Sequence, residues 1–500
     1  MEMPKHGDAP RHYSNFIDGH EQSALGGKTF SSINPTTGEL WGTFQLSERA
    51  DVDRAVLAAR GAFEGTWGRL APSQRGALLM RWGDSIASHA RLIGCLESTQ
   101  NGKLLAEMQL QSQVARDWLY YFGGMADKIE GAVIPLQRQS ILNYTLREPL
   151  GVVAIITPWN SPTLLLVMSL APALASGNTV VIKPSEITSA SAVEIAKLAS
   201  AVGIPAGVVN VVTGMRETGE ALVDHPKVAK VAFTGSVGAG RSIAARVGAR
   251  LATCTLELGG KSPHIVFDDA DLDQAEAGLL SGIFAAAGQT CIAGSRAYLQ
   301  EKVYNALVER LVTRAEKIVI GDPLLPTTQM GPIATKAQLQ KDEAAVSDAR
   351  RHGAELLCGG RRPAIAEFPG GYFFSPTILQ GVAADNPLSK TEVFGPVLAI
   401  FPFRDEDDVV AKANDSEFGL AAGIWTRDIK RAHRMARRLE SGTIWLNTYR
   451  ALAANSPFGG YKTSGMGRLN GLEAIDNFLQ TKSVWCELAD EIRDPFVIKV

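Results

Sequence analysis

Between residues 151 and 260 the chain alternates short apolar runs with helical segments, and this rhythm limits the fold more than any other feature. Strands are expected over 152–156, 179–183, 208–212, 228–233 and 251–257. Helices are expected over 162–175, 190–201, 217–223 and 237–247. Regular βα alternation predicts a doubly wound parallel sheet, an α/β architecture whose strand ends bind nucleotides.

A second alternating set follows Gly260, as 500 residues exceed what one hydrophobic core usually serves. Its expected strands are 265–267, 297–300, 397–403, 421–425 and 443–446, and its helices 272–286, 302–317, 336–352, 407–414 and 430–439. Before residue 130 the pattern is helical: one helix from about residue 50, one after Pro72, and others over 92–100 and 104–129. Nothing in that first quarter looks chemical. Alternation in Ile141-Leu142-Asn143-Tyr144-Thr145-Leu146 reads as a strand of a projecting ribbon, which 478–487 could join. An exposed ribbon edge invites pairing with another subunit, so a homodimer or homotetramer is expected. The expected organisation is a cofactor domain over 1–129 and 150–259, a second α/β catalytic domain over 260–465, and an oligomerisation element over 130–149 and 466–500.

Charge excludes several classes of partner. Lys and Arg number 50 against 52 Asp and Glu, with no basic block to recruit nucleic acid or acidic lipid. The five cysteines form no Cys-x-x-Cys, which speaks against a disulfide framework or a metal site and for a reducing cytoplasm. Residues 1–16 contain no apolar leader core, and the apolar run 163–175 is too short to span a membrane and contains Pro172.

Two stretches carry candidate chemistry. Leu256-Glu257-Leu258-Gly259-Gly260-Lys261-Ser262-Pro263 offers a carboxylate, and Gly288-Gln289-Thr290-Cys291-Ile292-Ala293-Gly294-Ser295-Arg296 offers a thiol. A thiol with a base nearby suggests covalent catalysis. Three features point to a dinucleotide. Glu186 lies just beyond the second strand, where an acid can bind ribose hydroxyls. Phe233-Thr234-Gly235-Ser236-Val237-Gly238-Ala239-Gly240 opens a helix whose N-terminus favours phosphate, although it lacks the GxGxxG order. Gly259 and Gly260 leave open backbone after the fifth strand. Each has a plainer reading as a solvated turn or helix cap; their coincidence on one sheet edge favours a nucleotide.

The sequence resembles the NAD(P)-dependent aldehyde dehydrogenase superfamily over nearly its whole length. The two stretches above, with Thr157-Pro158-Trp159-Asn160, Lys183-Pro184-Ser185-Glu186, Phe233-Thr234-Gly235-Ser236, Glu392-Val393-Phe394-Gly395-Pro396 and Pro457-Phe458-Gly459-Gly460, match the family in order. The resemblance implies that Cys291 attacks the aldehyde carbon, that the Asn160 amide and the Cys291 N–H form an oxyanion hole, and that Glu257 activates the water that hydrolyses a thioester. Asn160, standing before Ser-Pro, could instead cap a helix. The implied cofactor contacts are Ile156, Thr157, Pro158 and Trp159 after the first strand, and Lys183, Ser185 and Glu186 after the second. Phe233, Gly235 and Ser236 follow the fourth strand, and Leu258 and Gly259 the fifth. Glu392 and Phe394 complete the set at the nicotinamide end. The Glu186 carboxylate repels a 2′-phosphate and favours NAD over NADP.

Two departures stand out. Many relatives carry Glu where this chain has Leu469 and Lys where it has Ser169, a pair thought to relay protons to the general base. Their absence predicts that Glu257 exchanges its proton directly with bulk water. The implied substrate tunnel is lined by Leu164, Leu165, Met168, Thr290, Ile292, Leu452 and Phe458. This set has few aromatics, which argues against a cage for a quaternary ammonium. Arg450, in the loop before Pro457, could reach an anionic tail. A CoA-acylating semialdehyde dehydrogenase and an inactive structural relative are the alternatives; Glu257 argues against the first, and intact Cys291, Glu257 and Asn160 against the second.

Overall fold

The computed structural model describes residues 6–490 and residue 496, so the expected C-terminal element at 466–500 falls partly outside the described residues. An eight-stranded sheet runs, in spatial order, through Gly465–Met466, Thr253–Glu257, Val228–Thr234, Val152–Ile156, Thr179–Lys183, Val209–Val211, Asn15–Ile17 and His20–Gln22. Its five central strands are parallel. They are the strands read from the sequence, shortened at some ends. Numbered along the chain, they stand in the order 5-4-1-2-3. The order reverses beside Val152–Ile156, and ligands bind such sheets at that switch point, beyond the carboxyl ends of the strands.

The sheet is buried on both faces, and single strands show how. Val153 and Ile155 point into a cluster with Leu166 and Leu170 of the helix Pro162–Ala175. Val152, Ala154 and Ile156 point the other way, towards Val52 and Val56 of the helix Arg49–Glu64. Period-two alternation therefore places apolar groups on both faces, and no polar position interrupts the run.

The second sheet has seven strands, in the order Glu355–Cys358, Thr377–Gln380, Val397–Phe403, Arg296–Gln300, Pro263–Val266, Ala421–Trp425 and Thr443–Leu446. The first two were not expected from the sequence. Glu355–Cys358 is short and antiparallel to its neighbour, and its pairing shifts register between Leu356 and Cys358, which weakens its sequence pattern. The helix expected over 272–286 stops at Phe284, and the chain tightens into a 3₁₀ turn over Ala285–Gly288. Gly465 and Met466 add an antiparallel edge strand to the first sheet, pairing with Glu257 and Leu256.

The ribbon projects as expected. Leu479–Glu487 runs antiparallel to Ile141–Pro149 along its whole length, and Val133–Ile134 covers part of the other edge. Val133 and Trp485 stand 72% and 61% exposed. Asn178 ties the ribbon's root to the sheet. It is fully buried, accepts from the Gly151 N–H at 2.9 Å, and donates to the carbonyls of Ala173 at 3.1 Å and Phe478 at 2.9 Å. Asn178→Ala strands two buried backbone groups, the Gly151 N–H and the Phe478 carbonyl, since the Ala173 carbonyl keeps the residue-178 N–H. It is expected to lower the unfolding free energy by about 2 kcal/mol or more, seen as a fall in the thermal midpoint.

Candidate active site

The strand Val152–Ile156 delivers the chain to a turn that carries Asn160, and Pro162 then starts a helix at the first-turn position proline favours. Asn160 does not cap that helix, whose N-cap position is Ser161. Its buried side chain crosses to the next segment and donates from Nδ2 to the Gln289 carbonyl at 3.1 Å. Gln289 belongs to the loop that leads to Cys291. Ala286 and Ala287 enter that loop with φ of 57° and 50°, left-handed conformations that cost non-glycine residues on the order of 1–3 kcal/mol each.

Glycine brings the carboxylate strand against this loop. A Cβ at Gly260 would sit 2.5 Å from the Cys291 carbonyl oxygen, and one at Gly259 would sit 2.2 Å from a Glu392 carboxylate oxygen. The Gly260 N–H donates to Glu392 Oε1 at 2.9 Å. Glu257 ends its strand immediately before these glycines.

Cys291 opens onto a cavity of about 660 Å³. Asn160 lines it, as do all the expected tunnel residues: Leu164, Leu165, Met168, Thr290, Ile292, Arg450, Leu452 and Phe458. The structure corrects two expectations. Trp118 and Tyr121, from the helix Leu105–Met125, add aromatic wall to Phe458, so the argument against a quaternary ammonium no longer holds. Arg450 does reach the tunnel, but its guanidinium is already engaged: Nη2 lies 3.1 Å from Glu107 Oε1 and Nη1 donates to the Ser281 carbonyl at 3.3 Å.

Desolvation governs the ionisable groups here. Burial pushes the Cys291 thiol up to about 12, with the carboxylates of Glu392 and Glu257 adding to the effect and the Lys103 ammonium opposing it. Burial also raises the Glu257 carboxyl well above the carboxylate range, and among the described residues Arg468 is the charge set against it. Both Glu257 oxygens are buried and find no hydrogen-bond partner among the described residues. Direct exchange with bulk water, expected from the missing relay, does not fit this burial. Ser169 and Leu469 are themselves buried. Arg468 runs outward past Gly459, where a Cβ would meet Arg468 Cδ at 2.8 Å and Glu257 Oε1 at 3.0 Å.

Four of the expected cofactor residues share one cavity. A second cavity, of about 420 Å³, is lined by Ile156, Lys183, Phe233 and Ser236, with Gly238 and Arg246. Ser236 caps the helix Val237–Ala249, its hydroxyl accepting from the Ala239 N–H at 3.3 Å, and a Cβ on Gly238 would meet open space. An unobstructed helix start fits a pyrophosphate. Lys183 Nζ lies 3.6 Å from Glu186 Oε2, and Ser185 Oγ lies 3.5 Å from the same carboxylate oxygen. Thr157 N donates to the Lys183 carbonyl at 3.2 Å, which holds the two strand ends together. Gly235 N donates to the Glu257 carbonyl at 3.0 Å. The Leu258 side chain packs over Gly240. Trp159, after the half-buried Pro158, meets Phe394 edge-on with ring centroids 5.5 Å apart. Among the described residues no cluster of three His, Cys, Asp or Glu could hold a metal ion.

Sequence reading missed the first quarter of the chain. Glu97, Asn101, Glu107 and Trp118 all reach the site from helices that looked purely structural. One signal was available: Glu97 and Asn101 continue the buried stripe of Ile93 at helical spacing, where polar residues are unusual. Tyr449, also missed, donates to the Ile292 carbonyl at 2.8 Å, directly after Cys291.

Comparisons agree with this geometry. Residues 22–484 match the aldehyde dehydrogenase family. The chain is 43% identical over 478 residues to (Z)-2-((N-methylformamido)methylene)-5-hydroxybutyrolactone dehydrogenase of Acinetobacter baylyi, covering 95% of this chain and 97% of that one. It is 42% identical over 476 residues to a betaine aldehyde dehydrogenase of Brucella anthropi, covering 95% and 97%. Among solved structures, the NAD⁺ complex of an aldehyde dehydrogenase from Bacillus cereus superposes with a TM-score of 0.93 at 39% identity, covering 96% of this chain and 97% of that one. A betaine aldehyde dehydrogenase from Staphylococcus aureus with NAD⁺ gives 0.95 at 35% identity, covering 97% and 96%. With the thiol, the buried carboxylate and the switch-point crevice in place, the chain belongs to the aldehyde dehydrogenase family.

Proposed function

We propose that this NAD-dependent aldehyde dehydrogenase forms a thioester on Cys291 and releases the free acid by hydrolysis, with Glu257 as general base. The observation that carries this reading is the convergence of three groups from distant segments. Cys291 and Asn160 face one tunnel, and Glu257 lies behind the glycine pair packed against the Cys291 carbonyl. Bound NAD supplies a hydride acceptor and a positively charged ring.

The side chains divide the work. Cys291 Sγ attacks the aldehyde carbon, and the carbonyl oxygen becomes an oxyanion. One Asn160 N–H is held by the Gln289 carbonyl, which fixes the amide plane; the other is available to that oxygen. A thiol held at about 12 is almost wholly protonated near neutrality, so a cation beside it is needed to expose the thiolate. Glu257 then takes a proton from water as the water attacks the thioester carbonyl. The carboxyl in its unpartnered pocket is a strong base once ionised, and Arg468 is the charge that favours ionisation.

The crevice supports NAD over NADP. Glu186 sits beside Lys183, where its carboxylate suits ribose hydroxyls and opposes a 2′-phosphate. Arg246 and Arg216 border the same cavity, but both are paired with Glu220. Glu257 and the hydrolysis it serves disfavour a CoA-acylating reaction. The exposed ribbon supports a homodimer or homotetramer, with Val133 and Trp485 as apolar contacts for another copy.

A panel of aliphatic, aromatic, ω-carboxylate and quaternary ammonium aldehydes with NAD, followed by reduced-nicotinamide absorbance, tests the activity and finds the substrate. No signal with any member would sink the reading, and signal only with added CoA would favour the acylating alternative. Glu257→Gln is expected to give a burst of about one reduced nicotinamide per site, then steady turnover roughly 10²–10⁴-fold slower. Full steady turnover in that variant would remove Glu257 from the role. Because burial raises the Glu257 carboxyl, it is protonated and idle as a base at low pH, so hydrolysis should quicken as pH rises, with the limb lying above the usual carboxylate range. Arg468→Gln should move that limb to higher pH, while Arg468→Lys should keep it near its place; an unmoved limb in the Gln variant would clear Arg468 of the role. Trp485→Glu is expected to weaken assembly, read as a lower mass by sedimentation.

A further inference from the structure

The turn that carries Asn160 is held at both ends by one helix from the first quarter of the chain. The helix Ala90–Asn101 ends at Gly102, which adopts the left-handed conformation that terminates helices. Glu97 and Asn101 are one turn apart on it and share a face. Glu97 Oε1 accepts the Thr163 N–H at 2.9 Å and the Thr163 hydroxyl at 2.6 Å. Asn101 Nδ2 donates to the Trp159 carbonyl at 3.1 Å, and its Oδ1 accepts the Lys103 N–H at 3.0 Å. Glu97, Asn101 and Thr163 are each 0% exposed.

These contacts are placed where they matter for the amide. Trp159 immediately precedes Asn160. The Thr163 N–H is one of the first-turn donors that a helix cannot satisfy internally, and a carboxylate there is favoured by the helix dipole. Ser161 at the N-cap makes no side-chain cap, so Glu97 supplies from another helix what the local sequence omits. With the Trp159 carbonyl and the Thr163 N–H both pinned to the rigid helix Ala90–Asn101, the backbone on either side of Asn160 cannot swing independently. Burying a carboxyl is costly, and burial raises that of Glu97 to about 7. A purely apolar contact between the two helices would avoid that cost, which points to a task for these polar groups.

We propose that Glu97 and Asn101 are positioning residues for aldehyde oxidation: by fixing both ends of the 159–163 turn they aim the Asn160 amide at the oxygen of the aldehyde held by Cys291. This rests on Asn160 being the oxyanion donor. Neither residue touches the substrate tunnel, so both act through Asn160. A misplacement of about 1 Å at such a donor can cost about 10²-fold in rate.

A double-mutant cycle between Glu97→Ala and Asn160→Ala separates the two readings. Glu97→Ala alone is expected to lower kcat about 10²-fold, leaving the aldehyde KM and NAD affinity within about 2-fold. Glu97→Gln, which keeps an oxygen for Thr163, should recover most of the rate. On the Asn160→Ala background, Glu97→Ala should cost less than about 2-fold more. Independent, additive losses would overturn the positioning role while leaving Asn160 as oxyanion donor. An Asn160→Ala enzyme of unchanged kcat would instead overturn the donor assignment, and the positioning role with it. If Glu97→Ala does not fold, Asn101→Leu, which removes the bonds to Trp159 and Lys103, and Thr163→Val, which removes the hydroxyl bond to Glu97, enter the same cycle with the same two outcomes.

Discussion

Loss of water around two ionisable groups is the interaction on which this site depends. Cys291 and Glu257 are both pushed towards their neutral forms by burial, and nearby protein charges offset that only in part. A neutral thiol and a neutral carboxyl lie close together without the repulsion two anions would suffer. They also give little background reactivity. The same lack of solvation makes each group far more reactive once a proton is removed, because no hydrogen bond stabilises the anion in advance. Where Glu392 and Glu257 are ionised they oppose loss of the thiol proton, and Lys103 favours it.

Bringing those groups together needs backbone without side chains. Gly259 and Gly260 let the end of one parallel strand press against Glu392 and the Cys291 loop. Gly288 does the same from the other side, with φ +68° and its Cβ position filled by the Gly395 carbonyl. These contacts join the two sheets at the site, so the thiol, the carboxylate and the cofactor crevice are fixed by one set of close approaches. The left-handed Ala286 and Ala287 hold the same loop in a shape that alanine does not favour. Strain at such a place persists because the surrounding packing over-determines it.

Legibility followed contact distance along the chain. The parallel strands could be read because burial on both faces leaves largely apolar runs, broken at single polar positions such as Asn210 and Lys230. The antiparallel Glu355–Cys358 was missed because it is short and out of register. Cys291, Glu257 and the tunnel residues near them could be named because glycine-rich motifs surround them, and the structure places every named tunnel residue on one cavity. Arg450 was named too, but its partner Glu107 lies 343 positions away, and no local pattern records that. Glu97 meets Thr163 across 66 positions, and Asn101 meets Trp159 across 58.

The sequence by itself determined the α/β architecture, the order of the strands along the chain, the family, and which thiol and carboxylate are the candidates for the chemistry. Each of these is written in residues near one another: an apolar run, a glycine beside a reactive group, a proline at a helix start. Only the tertiary structure decided that Glu257 is sealed from bulk water, that Arg468 is the charge set against its protonation, that Arg450 is already paired, and that Trp118 and Tyr121 shape the tunnel. It alone showed a helix of the first quarter holding the turn of Asn160. Solvation and hydrogen bonding between distant segments depend on where the folded chain puts each group in three dimensions, and local sequence pattern carries no record of that distance.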